Sequence, residues 1–458
     1  MPIKRLFVAN RGEIALRIIR AAHALGLEAI LGVSDADRDS AGSRAADGVL
    51  VLGPAPAAKS YLNARLVVHA AKASGCDALH PGYGFLSERA ILPRLCAEHG
   101  IAFVGPDASM METLGDKLSA RAAARAAGVP LVPGSDEIKT AADARAVADS
   151  IGYPVLLKAA AGGGGRGMVI VNHADEIRPG FDKATAEALA AFSDGTLFME
   201  RFVPEARHVE VQFIGDGNGA VVHFGERDCS VQRRYQKLIE EAPCPAMPDA
   251  MRADLHAAAV KLAQSVKYRN AGTAEFLYDV ARRCFYFIEV NARIQVEHPV
   301  TEMVAGFDLV QEQLRVAGGG GLSVRQDRVK ISGHAIECRI NSEDVTRGFI
   351  PVPGSVTSWN APSGEGIRLD SHISEGATIP PFYDSMIGKL IVHAATRSLA
   401  VQRMADALDR FVVAGVPTTI PLLRAIVRHP DFIQNNLHTR WLEKVFLPGA
   451  TAVCGAAT

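Results

Sequence analysis

The chain lacks the marks of several common protein classes. Its seven cysteines are scattered, odd in number and without a CxxC pair, and no His/Cys cluster has the spacing of a zinc site. A formal net charge of −1 gives no reason to expect nucleic acid or an anionic membrane as a partner. No apolar run approaches a transmembrane span, and charges follow the short apolar stretch at the N-terminus too soon for a signal peptide. We therefore expect reduced thiols and a cytoplasmic location.

The chain also lacks two familiar glycine signatures. The turn at 9–12 has one glycine in place of the dinucleotide fingerprint, which argues against NAD binding. The glycine run at 162–165 is followed by no Gly-Lys-Ser/Thr, so it is not a P-loop. What remains is the composition of an ordinary globular protein, with 48% hydrophobic and 22% charged residues over 458 residues. That length predicts roughly two to four domains.

The order of the apolar segments predicts an α/β and α+β multidomain protein. Residues 4–9 and 28–33 are typical of strands and residues 12–25 of an amphipathic helix, so the chain begins with a βαβ unit. We expect an N-terminal α/β domain at 1–113, followed by a linker helix and a lid with a glycine loop at 114–203. A large C-terminal region at 204–447 and a short tail at 448–458 complete the expected plan.

The most informative pattern is an alternation between residues 289 and 297. Every second residue is polar and the residues between are apolar; the polar ones are Glu289, Asn291, Arg293, Gln295 and Glu297. A strand alternates its faces with period two, so these side chains share one face. A half-solvated surface strand is the alternative, but the apolar run at 285–288 indicates burial on both faces. Buried charges must be paired or hold ions, so we interpret the strip as the floor of an active site.

A second strand at 273–279 supplies another carboxylate. Folding the chain about Arg282 brings Glu275 roughly opposite Glu289, with a register that could slip by a residue or two. Two facing carboxylates repel each other unless a cation lies between them. Oxygen ligands suit Mg²⁺ or Mn²⁺, and we predict a metal site formed by Glu275, Glu289 and Asn291.

The glycine run lies between two apolar segments, 155–157 and 168–171. Because they have no Cβ, Gly163, Gly164 and Gly165 let backbone N–H groups approach a phosphate. Lys158, at the end of the first segment, can reach a phosphate oxygen. A flexible linker is the alternative, but the flanking strands favour a lid over a nucleotide. Glu200 follows another apolar strand and is either an adenine contact or part of a domain connection.

Together these segments resemble biotin carboxylase, the ATP-grasp subunit or domain of the biotin-dependent carboxylases. The resemblance covers residue 3 to about residue 447. It rests on VANRGEIALRIIRA at 8–21, HPGYGFLSE at 80–88, LGDK at 114–117, GGGGRGM at 162–168, RHVEVQ at 207–212, ERDCSVQRRYQK at 226–237, IEVNARIQVEHPVTE at 288–302 and YDSMIGKL at 383–390.

The resemblance implies an ATP-grasp fold with a Rossmann-like N-terminal domain, a mobile lid and a large C-terminal domain. The residues implied to contact ATP are Lys117, Lys158, Glu200, His208 and Gln232, with Glu275, Glu289 and Asn291 holding Mg²⁺ and the phosphates. Those implied to bind bicarbonate are Lys237, Arg293, Gln295, Val296 and Glu297, with Glu297 as the base. Tyr83 would border the biotin site. Arg339 would face the ureido oxygen of biotin; the alternative for Arg339 is a surface salt bridge with Glu337.

Four positions depart from the family pattern. Ala292 stands where Thr is common, but it lies on the apolar face of the predicted strand and should be tolerated. Tyr235 replaces a histidine that is usual near the nucleotide. Ala24 and Glu365 replace the polar and aromatic residues expected at a dimer contact. The sequence therefore does not decide between a homodimer formed through this contact and another oligomeric state.

The resemblance implies ATP- and bicarbonate-dependent carboxylation of biotin through carboxyphosphate, as the first half-reaction of an acyl-CoA carboxylase, with acetyl-CoA as the expected acceptor. No Ala/Val-Met-Lys-Met biotinyl-lysine motif occurs, so we expect a separate biotin carboxyl carrier protein and separate carboxyltransferase subunits. Pyruvate, propionyl-CoA or a urea-like acceptor is an alternative, as is another ATP-grasp ligase. The strip at 293–297 and the HPGYG turn argue against that ligase. A non-catalytic nucleotide-binding subunit is disfavoured because no lysine or carboxylate of the expected set is lost.

Overall fold

The apolar segments near the N-terminus form a parallel sheet, as strands that are apolar on both faces predict. The structure, a computed structural model, describes residues 3–161 and 167–449. Its first elements are β1 Arg5–Val8, α1 Gly12–Ala24, β2 Glu28–Ser34, α2 Ala41–Ala45, β3 Gly48–Gly53, α3 Ala64–Ala73, β4 Ala78–His80, α4 Ile91–Glu98 and β5 Ala102–Phe103. The strands pair in parallel in the order β3-β2-β1-β4-β5. Leu6 and Val8 pack in one apolar cluster and Phe7 in another, so both faces of β1 are buried. The parallel pairing of β1 with β2, with α1 between them in the chain, confirms the predicted βαβ start.

The next part of the chain forms a small antiparallel sheet with helices against it. Its elements are α5 Ala108–Gly115, α6 Lys117–Ala126, β6 Gly134–Ile138, α7 Ala141–Ile151, β7 Val155–Ala159, β8 Met168–Val171, α8 Ile177–Phe192 and β9 Leu197–Arg201. The strand order is β6-β9-β7-β8. Helix α7 begins at a capping box in which Thr140 and Asp143 bond each other's backbone N–H groups. Strands β7 and β8 flank the predicted glycine loop, and Gly163, Gly164 and Gly165 lie outside the described residues.

The large region begins with long antiparallel strands. Its first elements are β10 Arg207–Asp216, β11 Val221–Arg233, β12 Gln236–Ala242, α9 Asp249–Ser265, β13 Arg269–Asp279, β14 Cys284–Asn291, α10 His298–Ala305, α11 Leu309–Ala317 and β15 His334–Asn341. The remainder comprises β16 Glu343–Asp344, β17 Ile350–Pro351, β18 Gly354–Ser355, β19 Ser358–Asn360, β20 Ile367–Ser371, β21 Thr378–Ile379, β22 Met386–Ala394, α12 Arg397–Arg410, β23 Val412–Ala414, α13 Ile420–Arg428, α14 Pro430–Ile433 and α15 Leu447–Gly449. An eight-stranded sheet runs β14-β13-β10-β11-β12-β15-β22-β20, and one of its faces carries the polar residues considered below.

The prediction of one strand from 289 to 297 is wrong beyond Asn291. Strand β14 ends there, and the chain runs through an irregular segment and a turn into α10. Pro299 lies in the first turn of α10, where its missing N–H costs nothing, so the helix starts immediately after Glu297. The five polar side chains still face one cavity, but Gln295 and Glu297 reach it from the irregular segment and turn before α10 and not from a strand.

Within residues 3–161 and 167–449, no helix combines the length and apolar character needed to cross a bilayer.

Candidate active site

The register of the central strands brings the predicted carboxylates together. Glu275 on β13 pairs directly with Glu289 on β14, as predicted, and Thr273 pairs with Asn291. On the other side of β13, Glu275 lies opposite Glu210 of β10. Three carboxylates thus cross three adjacent strands on one face of the sheet, where they repel one another unless cations lie among them.

A cavity of about 1170 Å³ opens above this face. Fifteen of the predicted site residues line it: Tyr83, Lys117, Lys158, Glu200, His208, Gln232, Lys237, Glu275, Glu289, Asn291, Arg293, Gln295, Val296, Glu297 and Arg339. Gly163, Gly164 and Gly165 are the predicted site residues that fall outside the described part of the chain. Residues from all three parts of the fold therefore surround one space.

One end of the cavity carries two lysines. Lys117 and Lys158 both line the cavity, and burial and the charge of Lys158 lower the pKa of Lys117. Lys158 Nζ lies 2.8 Å from Glu200 Oε2, and Arg121 also binds the Glu200 carboxylate. Arg121 was not predicted, because its Ala-rich helix resembles a surface helix. The convergence of these cations suits a phosphate chain.

Tyr235 stands at the rim of the same cavity. It forms a two-residue turn with Arg234 between β11 and β12, and both residues have positive φ, 46° for Arg234 and 66° for Tyr235. Neither is a glycine, so this turn stores strain of the kind found near binding sites. Tyr235 is 56% exposed and lines the cavity, so its side chain can contact a molecule there.

The facing pair Glu275 and Glu289 fits a divalent cation. Burial and the negative charge of Glu275 raise the pKa of Glu289, which a cation between the two carboxylates would reverse. Asn291 Nδ2 donates to Glu275 Oε1 at 2.8 Å, while Asn291 Oδ1 accepts from Arg293 Nη2 at 2.8 Å. Asn291 lies beside the pair as predicted, and it also orients Arg293.

A second acidic group nearby is neutralised by the protein itself. His208, Glu210 and Glu275 bring ligand atoms within 4.8 Å of one another. Lys237 Nζ lies 2.6 Å from Glu210 and 3.3 Å from Glu275, and His208 Nε2 lies 3.1 Å from Glu275. Lys237 already binds both carboxylates of this group, whereas the Glu289 carboxylate has no cation bonded to it in the described part of the chain, so a metal ion is better placed between Glu275 and Glu289.

Glu297 lies between two cations at the other end of the cavity. Lys237 Nζ is 2.5 Å from Glu297 Oε1, and Arg339 Nη2 is 2.9 Å from Glu297 Oε2. Burial acts to raise the pKa of Glu297, but Lys237 and Arg339 outweigh it, so the pKa lies below its ordinary value. Glu297 is therefore ionised and can accept a proton from an acid bound beside it.

The proposed salt bridge between Arg339 and Glu337 is absent among the described residues. Arg339 instead binds Glu240 at 2.6 Å and Glu297. Arg339 is buried in part and faces the cavity, so the alternative of a surface ion pair is wrong. The physical reason is the neighbouring strand β12, which places a carboxylate directly beside the guanidinium.

Two buried cations behind the strip were not predicted. Arg227 is fully buried and donates to Glu210 Oε1 at 2.6 Å and to Gln295 Oε1 at 2.5 Å. Lys389 is also fully buried and donates to the carbonyl of Val296 at 2.9 Å. Both residues lie in motifs quoted above, but the residues around them in the sequence do not indicate which groups they bind.

Tyr83 and Arg293 connect the N-terminal region to the strip. The Tyr83 hydroxyl donates to Glu13 of α1, and Lys389 Nζ lies 3.0 Å from the same carboxylate. Arg293 Nε lies 3.0 Å from Glu88 in the loop after β4. These contacts fix the wall of the cavity that faces α1.

Family models match three consecutive parts of the chain. "Biotin carboxylase, N-terminal domain" matches residues 2–111, "Carbamoyl-phosphate synthase L chain, ATP binding domain" matches residues 116–325, and "Biotin carboxylase C-terminal domain" matches residues 337–444.

Relatives of known name match over nearly the whole chain. Biotin carboxylase 1 of Bacillus subtilis (strain 168) is 46% identical over 449 residues, 98% of this chain and 100% of the relative. One pyruvate carboxylase subunit of Methanothermobacter thermautotrophicus is 45% identical over 441 residues, 96% of this chain and 89% of the relative.

Solved structures agree with these matches. A complex of biotin carboxylase with β,γ-ATP from Campylobacter jejuni has a TM-score of 0.93 at 45% identity, covering 96% of this chain and 98% of that one. The biotin carboxylase domain dimer of Hydrogenobacter thermophilus 2-oxoglutarate carboxylase, with MgADP, ADP and bicarbonate, has a TM-score of 0.93 at 43% identity and covers 100% of both chains.

Proposed function

The chain belongs to the biotin carboxylase family of ATP-dependent ligases, and from that premise we propose that it carboxylates biotin carried on a separate protein. The observation that carries the proposal is Glu297, held between Lys237 and Arg339 beside the facing carboxylates of Glu275 and Glu289. One acid–base group, one anion site and one metal pair thus share a cavity. Transfer of a carboxyl group through a phosphorylated intermediate needs all three.

ATP would lie with its phosphates between the lysines and the facing carboxylates. Lys117 and Lys158 would bind phosphate oxygens as point charges. Glu275 and Glu289 would hold Mg²⁺, which neutralises charge on the phosphates. Gly163, Gly164 and Gly165 would donate backbone N–H groups to the same phosphates, as their sequence predicts.

Bicarbonate would lie on Arg293, Gln295 and Lys237. The guanidinium of Arg293 can bind an anion through two N–H groups. Glu297 takes the bicarbonate proton, and the resulting oxyanion attacks the γ-phosphate to give carboxyphosphate and ADP. Positioning and charge neutralisation do most of the work in such a transfer.

Biotin would then be carboxylated beside Arg339. Carboxyphosphate breaks down to CO₂ and phosphate, the phosphate takes the N1′ proton of biotin, and N1′ forms the new bond to CO₂. Among the described residues, Arg339 Nη1 makes no hydrogen bond, so it is available to the ureido oxygen. A donor aimed at that developing negative charge acts as an oxyanion hole.

We expect biotin carboxyl carrier protein and carboxyltransferase subunits as partners and acetyl-CoA as the final acceptor. Relatives that stand alone as biotin carboxylases support the separate carrier. Relatives named for pyruvate and 2-oxoglutarate keep other acceptors as the alternative. A homodimer is proposed from the dimeric relative. Purification of the native complex, followed by assays with acetyl-CoA and pyruvate, distinguishes the acceptors.

The first prediction concerns the reaction. Purified protein with MgATP and bicarbonate should release ADP slowly, and free biotin should accelerate the release, because the cavity offers Arg339 to the ureido oxygen. Coupled measurement of ADP and of labelled carboxybiotin checks this. If ammonia or an amino acid accelerated ADP release and biotin did not, the protein would be a different ATP-grasp ligase.

The second prediction concerns the metal pair. Glu289→Gln should weaken binding of MgADP at least about tenfold, since losing even a residue that only supports a metal ligand weakens a site about 10–100-fold. Binding of ADP without Mg²⁺ should stay near that of the wild type. Titration calorimetry with and without Mg²⁺ measures both. Equal losses for ADP and MgADP would place Glu289 outside the metal site.

A further inference from the structure

Two buried carboxylates lie directly opposite each other behind the active site. Strands β12 and β15 pair so that Glu240 faces Glu337. Both residues are 0% exposed. The same two strands pack against α10, where Ala242 and Ala335 contact Val300 in an apolar cluster. Water therefore does not reach the pair from that side.

The pair has too few partners for two negative charges. Glu240 Oε1 accepts from Arg339 Nε at 2.6 Å. Glu240 Oε2 and both oxygens of Glu337 have no hydrogen-bond partner in the described part of the chain. Two ionised carboxylates held opposite each other without partners would be strongly destabilising, whereas one shared proton satisfies both.

The charged groups around the pair decide which carboxyl is neutral. Arg339, two residues along β15, is bonded to Glu240 and Glu297. Lys389 of β22 is bonded to Glu13 of α1 and to a backbone carbonyl. Helix α10 contributes His298, whose pKa is lowered well below its ordinary value by burial and by Lys389, so it brings no cation. Lys237 of β12 is bonded to Glu210, Glu275 and Glu297. Each of these cations is thus bonded to another carboxylate, and in the described part of the chain no cation is bonded to Glu337.

We infer that Glu337 is a neutral carboxylic acid that donates its proton to Glu240 Oε2, and that this bond holds Glu240 where it positions Arg339 for biotin. The electrostatics of the pair agree. Burial and the charge of Glu240 raise the pKa of Glu337 well above its ordinary value, although Lys389 acts to lower it, and burial and the charge of Glu297 raise the pKa of Glu240 to about 7, although Arg339 acts to lower it. Two such groups titrate as a pair that keeps one proton.

This role deepens the proposed function and rests on it. Glu337 touches no substrate; it is a positioning residue that acts through Glu240 on Arg339. If Glu337 lost its proton, Arg339 would face three carboxylates, those of Glu240, Glu297 and Glu337, and would be drawn away from the ureido oxygen. Carboxybiotin formation should then decline at high pH, while bicarbonate-dependent ATP cleavage does not follow the same decline.

The experiment compares two near-isosteric variants of the full chain. Glu337→Gln keeps a donor to Glu240, whereas Glu337→Leu removes it. We expect Glu337→Leu to lower carboxybiotin formation at least about tenfold, since a shift of about 1 Å in a catalytic group can cost about 10²-fold. We expect Glu337→Gln to retain most of the wild-type rate and to abolish the decline at high pH. If the site were merely structural, Glu337→Leu should be at least as active and stable as Glu337→Gln, because an apolar residue often replaces a buried ionisable group without loss.

Infrared difference spectroscopy tests the proton without an activity assay. The wild type should show the C=O band of a protonated carboxylic acid, and both variants should lack it. An unchanged spectrum, or a Leu variant as active as the Gln variant, would overturn the inference. Failure of wild-type protein to carboxylate biotin would instead overturn the proposed function, and the infrared band would still report on Glu337.

Discussion

Glu297→Gln should lower biotin-dependent turnover by about 10²–10⁴-fold, the usual effect of losing a general base. Gln keeps the size and hydrogen-bonding shape of the side chain but cannot take the bicarbonate proton. Lys237 retains Glu210 and Glu275 as partners at 2.6 and 3.3 Å, so the variant leaves no cation isolated. The affinity for ATP should therefore stay near normal. Steady-state rates and nucleotide titrations on the same preparation measure both quantities.

Glu343→Gln is a matched control for this variant. Glu343 lines the same cavity, but among the described residues its side chain bonds only Asn341 and Ser385, and it has no part in the proposed chemistry. Its turnover should stay within about twofold of wild type, as for most substitutions away from a functional group. A loss comparable with that of Glu297→Gln would mean that any change of charge in the cavity impairs the enzyme.

Arg339→Ala separates the two steps of the reaction. It should reduce carboxybiotin formation and largely spare bicarbonate-dependent ATP cleavage, because the ureido oxygen is present only in the second step and Lys237 still binds Glu297 when Arg339 is removed. Glu289→Gln should instead impair MgATP binding. If these two variants and Glu297→Gln lost ATP binding alike, with matching losses of thermal stability, the strip would be structural and the division of roles would be wrong.

Much of the fold was predictable because it depends on local patterns. The apolar strands and the amphipathic helix at 12–25 fixed the βαβ start, which the structure confirms. A turn centred on Arg282 predicted the pairing of Glu275 with Glu289, which the structure confirms, but the strands next to the turn pair one residue out of that register and a bulge between Glu275 and Phe276 restores it. The end of β14 at Asn291 was not predictable from alternation, because the same polar and apolar order continues through the irregular segment to Glu297.

The buried charge network was beyond local patterns for a physical reason. Arg227 and Gln295 are 68 residues apart in the chain, and Arg339 and Glu240 are 99 apart. A lone arginine in a strand is typical of a solvent face, and only the strand order of the large sheet shows that its partners surround it. The motifs identified by family resemblance contained Arg227 and Gln295 but neither Glu240 nor Arg339, and all these partners became visible only in the structure.

Arg227 provides the largest predicted effect on stability. Arg227→Met should destabilise the large sheet by about 3–5 kcal/mol, because it leaves Glu210 without one of its two cations in a fully buried position. Although burial acts to raise it, Lys237 and Arg227 lower the pKa of Glu210 to about 2, so the carboxylate depends on both. At about 2–4 °C per kcal/mol, the midpoint of thermal unfolding should fall by about 6–20 °C.

Arg125→Met is the matched control for that measurement. Arg125 pairs with Asp136 at 2.8 Å, but the two side chains are 54% and 67% exposed, and exposed pairs contribute only about 0–1 kcal/mol. Its midpoint should stay within about 4 °C of wild type. Scanning calorimetry at several heating rates compares both variants with the wild type.

A second substitution distinguishes an unpaired charge from lost packing. If the destabilisation comes from the isolated carboxylate, adding Glu210→Gln to Arg227→Met should recover part of the lost midpoint, because the remaining amide is neutral. If it comes from the volume and hydrogen bonds of Arg227 itself, the double variant should be no more stable than the single one. An Arg227→Met midpoint equal to that of Arg125→Met would show that Lys237 alone stabilises Glu210. Arg227 would then serve chiefly to orient Gln295, and its loss should appear in bicarbonate binding and leave thermal stability unchanged.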